Sequence, residues 1–123
     1  MTFSYSCVLV MILFPYFFTV LAKAGTHYNN NDPRNSLEQL TGWRRRANYV
    51  QLNSFEALPA FGMAVIIAQL AHAPQHTIDN LALIFVIARI CYGICYLADK
   101  ATLRSIFWFI GLCCIVGLFG IAF

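Results

Sequence analysis

The sequence has little charge: only 11% of its 123 residues are Asp, Glu, Lys or Arg, against about 25% in ordinary soluble domains. It contains no glycine-rich phosphate loop and no Gly-x-Ser-x-Gly nucleophile motif. Hydrophobic residues supply 60% of the chain, where about 45–50% is usual. This composition excludes a disordered segment, a charge-rich nucleic-acid-binding module and almost every kind of soluble enzyme.

Metal-binding motifs are also missing from the sequence. None of the five cysteines has the paired Cys-x-x-Cys spacing of a zinc site. These cysteines are Cys7, Cys91, Cys95, Cys113 and Cys114. We interpret them as small apolar helix residues. Because His27, His72 and His76 fall in predicted connections without ligand-like neighbours, we expect no metal site.

Four long apolar runs contain most of the chain. They cover approximately residues 3–22, 49–71, 78–98 and 106–123. A helix needs about 20 apolar residues to cross a bilayer core. The sequence therefore predicts an all-α membrane protein, in which residues 1–123 form one domain with four transmembrane helices. A sequence like a signal-peptide cleavage site occurs at residues 22–24, but the preceding run lacks a positively charged start, so we expect it to be a span.

The connection at residues of about 23–47 is the only sizeable polar segment. Asp32-Pro33 predicts a turn, and residues 36–39 predict the opening of a short amphipathic helix at the membrane surface. Loop Lys and Arg residues lie in the first and third connections and are absent from the second. The positive-inside rule therefore places both basic connections in the cytoplasm and both termini on the other side. We interpret the run Arg44–Arg46 as this topology signal, with contact to an anionic lipid or ligand as the alternative.

Two charged residues, Glu56 and Arg89, lie deep within predicted membrane helices, where charge is costly. Asn53 shares a helix face with Glu56, and Tyr92 and Tyr96 share a face with Arg89. Each charge lies about 13 Å from the basic end of its predicted helix at 1.5 Å per residue. We therefore expect an ion pair between Glu56 and Arg89. The pair either locks the bundle or lines a polar cavity open to the cytoplasm.

Three motifs in the second, third and fourth predicted helices resemble one known family. They are an Asn-x-x-Glu-x-x-Pro signature, an Arg-x6-Tyr pattern and an Arg-Ser pair at the start of the last helix. These motifs lie at residues 53–59, 89–96 and 104–105. The sequence is similar in this respect to the membrane-associated proteins in eicosanoid and glutathione metabolism (MAPEG), and most similar to their small bacterial branch. The resemblance covers residues of about 33–118.

The resemblance implies a homotrimer that binds glutathione, as co-substrate, between adjacent protomers near the cytoplasmic face. Arg89 and Tyr96 would hold a carboxylate or backbone group of glutathione, with Tyr92 on the same helix face. Glu56 would face the glutathione ammonium, with Asn53 bonding nearby. These assignments suit the ligand, since arginine matches carboxylates bidentately and glutamate matches an ammonium.

The resemblance also implies that Arg104 lies against the glutathione sulfur, with Ser105 beside it. A thiol of pKa about 8.5 is mostly protonated at neutral pH, and a nearby cation favours the reactive thiolate. The expected function is that of a glutathione-dependent transferase or peroxidase acting on lipophilic electrophiles. The expected location is a bacterial inner membrane, and no nucleic-acid partner is expected. The alternatives are a non-catalytic binder or structural protein of the same fold and, more remotely, a small multidrug exporter. One position departs from the family pattern: Tyr49 stands where glutathione-using members have an arginine.

Overall fold

The computed structural model describes residues 2–24 and 30–123, and this part of the chain is built from α-helices. The helices are α1 (Phe3–Lys23), α2 (Pro33–Glu38), α3 (Gly42–Leu70), α4 (Gln75–Leu97) and α5 (Ala101–Ala122). All but α2 are long and apolar enough to cross a membrane, so the predicted all-α protein with four membrane helices is confirmed. His27 and the rest of residues 25–29, part of the predicted polar connection, lie outside the described residues.

Three helices begin earlier than the apolar runs predicted. The largest difference is at α3, which begins at Gly42 rather than near residue 49, while α4 and α5 begin at Gln75 and Ala101 rather than at 78 and 106. Hydropathy marks only the apolar part of a helix, and the first turns of α3 carry three arginines. At 1.5 Å per residue the 29 residues of α3 span about 44 Å, which exceeds the hydrocarbon thickness of about 30 Å. The polar first turns of α3 therefore extend beyond the hydrocarbon layer.

The basic end of the bundle, where α1 and α4 finish and α3 and α5 begin, is held together by arginines of α3. Arg44 Nε donates to the carbonyl of Ala24, the C-cap of α1, at 2.8 Å. Arg46 donates to the carbonyl of Leu97, the last residue of α4, from Nη2 at 3.1 Å and from Nε at 3.3 Å. The last carbonyls of a helix lack intrahelical donors, and a cation there also suits the helix dipole. The run expected to signal topology thus also caps two neighbouring helices.

The predicted surface helix is present as α2, which opens three residues earlier than expected. Asp32 precedes it and Pro33 is its first residue, a position where the missing N–H of proline costs no helical hydrogen bond. Leu37 on α2 packs against the apolar cluster at the basic end of the bundle. Short α2 is therefore anchored to the long helices through one apolar side chain of its own.

The four long helices pack so that α1 and α5 lie at opposite corners. Helix α1 packs mainly on α3, and α5 packs mainly on α4. One apolar cluster fills the half of the bundle far from the basic end, where the rings of Phe61 and Phe85 stack at 4.0 Å. A second cluster, including Phe18 and Val50, lies at the basic end. Polar side chains of α3 and α4 meet between these clusters.

Close packing at Gly93 gives a first prediction. A Cβ atom at this position in α4 would lie 2.7 Å from Cζ of Phe18 and 3.4 Å from Cζ of Phe14. Gly93→Leu should therefore lower the free energy of unfolding by about 1–3 kcal/mol, as overpacked cores do. The matched control is Gly120→Leu in α5, because no atom lies within 4 Å of a Cβ built there. The measurement is the thermal midpoint of each variant in detergent, and equal midpoints for the two variants would contradict the close contact between α1 and α4.

Candidate functional site

The guanidinium of Arg89 forms the centre of a polar layer between the two apolar clusters. Arg89 is only 2% exposed although it lies within a membrane helix. Its Nη2 donates to Asn53 Oδ1 at 2.8 Å and to Ser54 Oγ at 3.2 Å, both on α3. Its Cζ lies 4.3 Å from the centre of the Tyr92 ring. We call Asn53, Ser54, Arg89 and Tyr92 the polar layer.

The expected ion pair between Glu56 and Arg89 is absent, so that prediction is wrong. Arg89 binds the neutral side chains of Asn53 and Ser54 instead. Asn53 lies one turn before Glu56 on the same face of α3, and it binds Arg89 Nη2 together with Ser54. Glu56 lines the same cavity one turn further along α3 but forms no ion pair with Arg89. Matching depth along two helices did not ensure contact between the two charged groups.

Arg89 consequently has no carboxylate partner among the described residues. Its Nε is buried and lacks a hydrogen-bond acceptor in the part of the chain that the structure describes. A cation in a membrane interior is normally paired with another charge or with backbone carbonyls. The polar layer therefore holds an uncompensated positive charge.

An aromatic path leads from the polar layer to a second arginine. The rings of Tyr92 and Tyr96 meet edge to face, with centroids 5.6 Å apart. Arg104, at the start of α5, places its Cζ 4.5 Å from the centre of the Tyr96 ring. An arginine over an aromatic face is stabilised by the ring quadrupole, and its N–H groups remain able to bind anions. The path therefore connects two cations, Arg89 and Arg104, through two tyrosines.

Tyr49, the position that departs from the family pattern, joins the same aromatic group. Its ring centroid is 6.2 Å from that of Tyr96. Arg45, one turn earlier on α3, donates from Nε to the Tyr49 hydroxyl at 2.6 Å. The Tyr49 hydroxyl therefore holds the Arg45 guanidinium beside the aromatic group, one helical turn nearer the basic end.

A cavity of about 190 Å³ lies between α3, α4 and α5 beside the polar layer. Asn53 and Glu56 line it from α3, Arg89 from α4, and Trp108 and Leu112 from α5. Glu56, Trp108 and Leu112 are all exposed on the protomer surface. The cavity therefore opens sideways, between α3 and α5. The sequence predicted a polar cavity that opens towards the cytoplasm, which differs from this sideways opening.

The structure brings five of the seven predicted site residues into one connected group. These are Asn53, Arg89, Tyr92, Tyr96 and Arg104. Glu56 lines the same cavity as Asn53 and Arg89 without bonding to either. Ser105 is exposed, and no hydrogen bond or ring contact links it to Arg104 within the described residues.

Sequence reasoning missed two residues at this site. Ser54 is fully buried and binds Arg89; the available signal was a small polar residue within a membrane helix next to the motif asparagine. Trp108 was not among the predicted site residues, but it lines the cavity. Its position one turn after Arg104 on α5 was the signal that could have placed it there.

The hydrogen bonds of Arg89 give a second prediction. Asn53→Ala should destabilise the protein by about 1.5–3 kcal/mol, because a hydrogen bond to a buried charge is lost. A double-mutant cycle with Arg89→Met should show that the losses of stability caused by Asn53→Ala and by Arg89→Met are not additive. The same cycle for Glu56→Gln with Arg89→Met should be close to additive. The measurement is thermal unfolding of each variant in detergent. Stronger coupling of Arg89 to Glu56 than to Asn53 would support the ion pair and contradict the hydrogen bonds of the polar layer.

Comparison with known proteins shows the family of the chain. The family model described as the MAPEG family matches residues 3–123. Searches of curated proteins and of solved structures find no match. The match covers nearly every residue of the chain, including all four candidate membrane spans. The chain is therefore an integral, multi-pass membrane protein and belongs to the MAPEG family.

Proposed function

We propose that this protein is a glutathione-dependent transferase or peroxidase that acts on lipophilic electrophiles in the membrane. The observation that carries the proposal is the cavity that Arg89 and the carboxylate of Glu56 both line, together with a second cation, Arg104, which the rings of Tyr96 and Tyr92 connect to Arg89. Glutathione has two carboxylates, one ammonium and a thiol. Two cations and one anion are the complement that this ligand needs.

Each residue then has a distinct role towards glutathione. Arg89 binds a carboxylate, which supplies the counter-charge that its buried guanidinium lacks. Glu56 binds the ammonium, while Asn53 orients Arg89 and Tyr92 and Tyr96 line the site. Arg104 lies nearest the basic end and faces the sulfur, where a cation favours the thiolate. Ser105 supports Arg104 only if its hydroxyl turns towards the site on binding.

The chemical step needs no nucleophile from the protein. The glutathione thiol loses its proton to solvent, and the thiolate forms a bond to an electrophilic carbon while a leaving group departs with its electron pair. With a lipid hydroperoxide, two glutathione molecules are instead oxidised to one disulfide while the hydroperoxide is reduced to an alcohol and water. Trp108 and Leu112 make one side of the cavity apolar, which suits a lipophilic substrate.

The exposed carboxylate of Glu56 supports assembly into a homotrimer. Glu56 lies 14 residues after the start of α3, about 21 Å along it, so it is close to the middle of the bilayer. An ionised carboxylate facing lipid there is unfavourable by at least about 2.5 kcal/mol. MAPEG proteins are oligomeric, and a neighbouring protomer packed over the opening between α3 and α5 would cover this charge and complete the glutathione site.

One observation favours the alternative of a non-catalytic binder or structural protein. Tyr49 replaces the arginine of glutathione-using relatives, and Arg45 is drawn to the Tyr49 hydroxyl rather than into the cavity. A site with one cation fewer binds a dicarboxylate less well. Turnover that depends on reduced glutathione separates the two functions, since the alternative predicts none.

The roles of the two arginines give a third prediction. Arg104→Ala should lower kcat about 100-fold, as loss of a group that stabilises the reacting charge does, with little change in glutathione affinity. Arg89→Lys should mainly raise the KM for glutathione, because a point charge remains but the planar fork is lost. The assay is conjugation of a chlorinated nitrobenzene to glutathione by the purified protein, at several pH values.

Lys100→Ala is the matched control for Arg104→Ala. Lys100 is an exposed cation one turn before Arg104, so it tests whether charge at the start of α5 alone matters. Turnover in Arg104→Ala equal to that in Lys100→Ala would remove Arg104 from the chemistry. Absence of glutathione-dependent turnover in the unmodified protein with every electrophile tried would favour the non-catalytic alternative.

We propose further that the protein lies in a bacterial inner membrane with its basic end in the cytoplasm. Support comes from the distribution of Lys and Arg, which occur in the connections at the basic end and not in the turn between α3 and α4. Glutathione and the cations that bind it would then be on the same side of the membrane.

This orientation gives a fourth prediction. A periplasm-dependent reporter such as alkaline phosphatase, fused after Phe123, should be active, and a cytoplasm-dependent fluorescent reporter at the same site should be dark. Fusions placed in the turn between α3 and α4, near Gln75, should behave like the fusion after Phe123. The reverse pattern would mean that the bundle is inserted with the basic end outside.

A further inference from the structure

A second polar site lies outside the cavity just described, in a groove between α2 and α3. The groove has a volume of about 590 Å³. Asn48 and Gln51, which are 4% and 7% exposed, form its floor. Gln51 Nε2 donates to Asn48 Oδ1 at 3.1 Å. The Asn48 amide N–H groups and the Gln51 side-chain carbonyl have no hydrogen-bond partner among the described residues.

These polar groups are accessible from the groove. Among the described residues the fully buried side-chain atom without a partner is Arg89 Nε, so the amide groups of Asn48 and Gln51 are free to bind what enters the groove. Asn48 offers two donors and Gln51 offers an acceptor, and both residues face the groove. The floor of the groove therefore matches a ligand that carries hydrogen-bond acceptors and at least one donor.

The rim of the groove adds one charge of each sign. Arg34 and Glu38 lie one turn apart on α2, and both line the groove. Both are exposed, and neither forms an ion pair with the other or with another residue of the described chain. A cation and an anion held side by side without pairing are complementary to a zwitterion.

The remaining wall of the groove is apolar and leads into the membrane. Leu52 and Phe55 on α3 are 48% and 39% exposed, and the ring of Tyr16 on α1 packs edge-on against Phe55 at 5.4 Å. Trp43 lies in the first turn of α3, beside the arginines of the basic end. Phe55 lies 12 residues beyond Trp43 on α3, which places it about 18 Å further into the bilayer. The groove thus runs from charged groups at the interface to apolar side chains in the hydrocarbon.

We propose that this groove binds a phospholipid whose zwitterionic head group carries a phosphate and a primary ammonium, as in phosphatidylethanolamine. Arg34 binds the phosphate, since guanidinium and phosphate pair bidentately, and Glu38 accepts hydrogen bonds from the ammonium. Asn48 and Gln51 bind the glycerol and ester region, and one acyl chain lies along Leu52 and Phe55.

The proposed contacts distinguish phosphatidylethanolamine from other phospholipids of a bilayer. A quaternary choline cannot donate a hydrogen bond to Glu38, and a phosphatidylglycerol has no cation for it. A soluble head group lacks the acyl chain that Leu52 and Phe55 contact. Binding should therefore require the phosphate, the primary ammonium and the chain together.

Native mass spectrometry of the purified protein in detergent tests the proposal. Lipids with matched palmitoyl and oleoyl chains are added singly and in equimolar mixtures. We expect phosphatidylethanolamine to bind about tenfold more tightly than phosphatidylcholine or phosphatidylglycerol, as loss of one charge-assisted contact implies. Glycerophosphoethanolamine, the head group without chains, should not displace the bound lipid at the same concentration.

Matched variants locate the site. Glu38→Gln should remove most of the preference, because only the primary ammonium distinguishes the three lipids. Arg34→Gln and Gln51→Met should weaken the binding of all three lipids, because the phosphate and the glycerol esters are common to them. Lys100→Gln and Asp99→Asn, which remove exposed charges at the same end of the bundle away from the groove, should leave both the preference and the binding intact. Equal binding of the three lipids, or equal effects of the groove and control variants, would overturn the proposal. It would also be overturned if cysteines introduced at Leu37 and Leu52 cross-linked separate protomers, because a second copy would then fill the groove.

Discussion

Burial of one guanidinium within the membrane is the constraint on which the rest of the structure depends. Arg89 is 2% exposed, and a charge at such a place is stable only when nearby groups solvate it. Asn53 and Ser54 on α3 and the Tyr92 ring on α4 supply part of that solvation. Because these groups come from two helices, they fix how α3 and α4 face each other. They also leave a positive charge that a bound anion can neutralise.

The arginines at the basic end reinforce the same arrangement from outside the hydrocarbon. Arg44 and Arg46 on α3 bind the final carbonyls of α1 and α4, so one helix holds the ends of its two neighbours. Arg104 on α5 lies over Tyr96 of α4, and Tyr96 contacts Tyr92, so a second cation is connected to the polar layer. In the proposed function this second cation serves the sulfur, while the buried one serves a carboxylate.

Much of the fold could be predicted from the sequence, because apolar length and helical periodicity are local properties. The four spans were predicted on this basis, and so were the polar faces of the second and third membrane helices. The pairing of Glu56 with Arg89 was wrong because periodicity and depth do not show which side chain of a polar face makes the contact. Asn53 and Ser54 bind Arg89, and Glu56, one turn after Asn53 on the same face, does not. The early start of α3 was missed because its first turns are held by arginine hydrogen bonds that hydropathy does not detect.

The roles of the site residues could not be predicted from physical reasoning on the sequence alone. A buried cation and a carboxylate lining one cavity suit an anionic or zwitterionic ligand, and the proposal that this ligand is glutathione rests on membership of the MAPEG family. Tyr49 shows the limit of such a transfer, since its hydroxyl binds Arg45 at 2.6 Å and Arg45 does not line the cavity. Whether the site still activates a thiol is therefore the central question.

The most direct test is a titration of the purified protein with reduced glutathione, following thiolate absorbance near the ultraviolet edge at neutral pH. The account predicts a saturable increase in thiolate absorbance that is lost in Arg104→Ala and persists in Lys100→Ala. Glutathione that binds without thiolate formation, or does not bind at all, would contradict a glutathione-activating site.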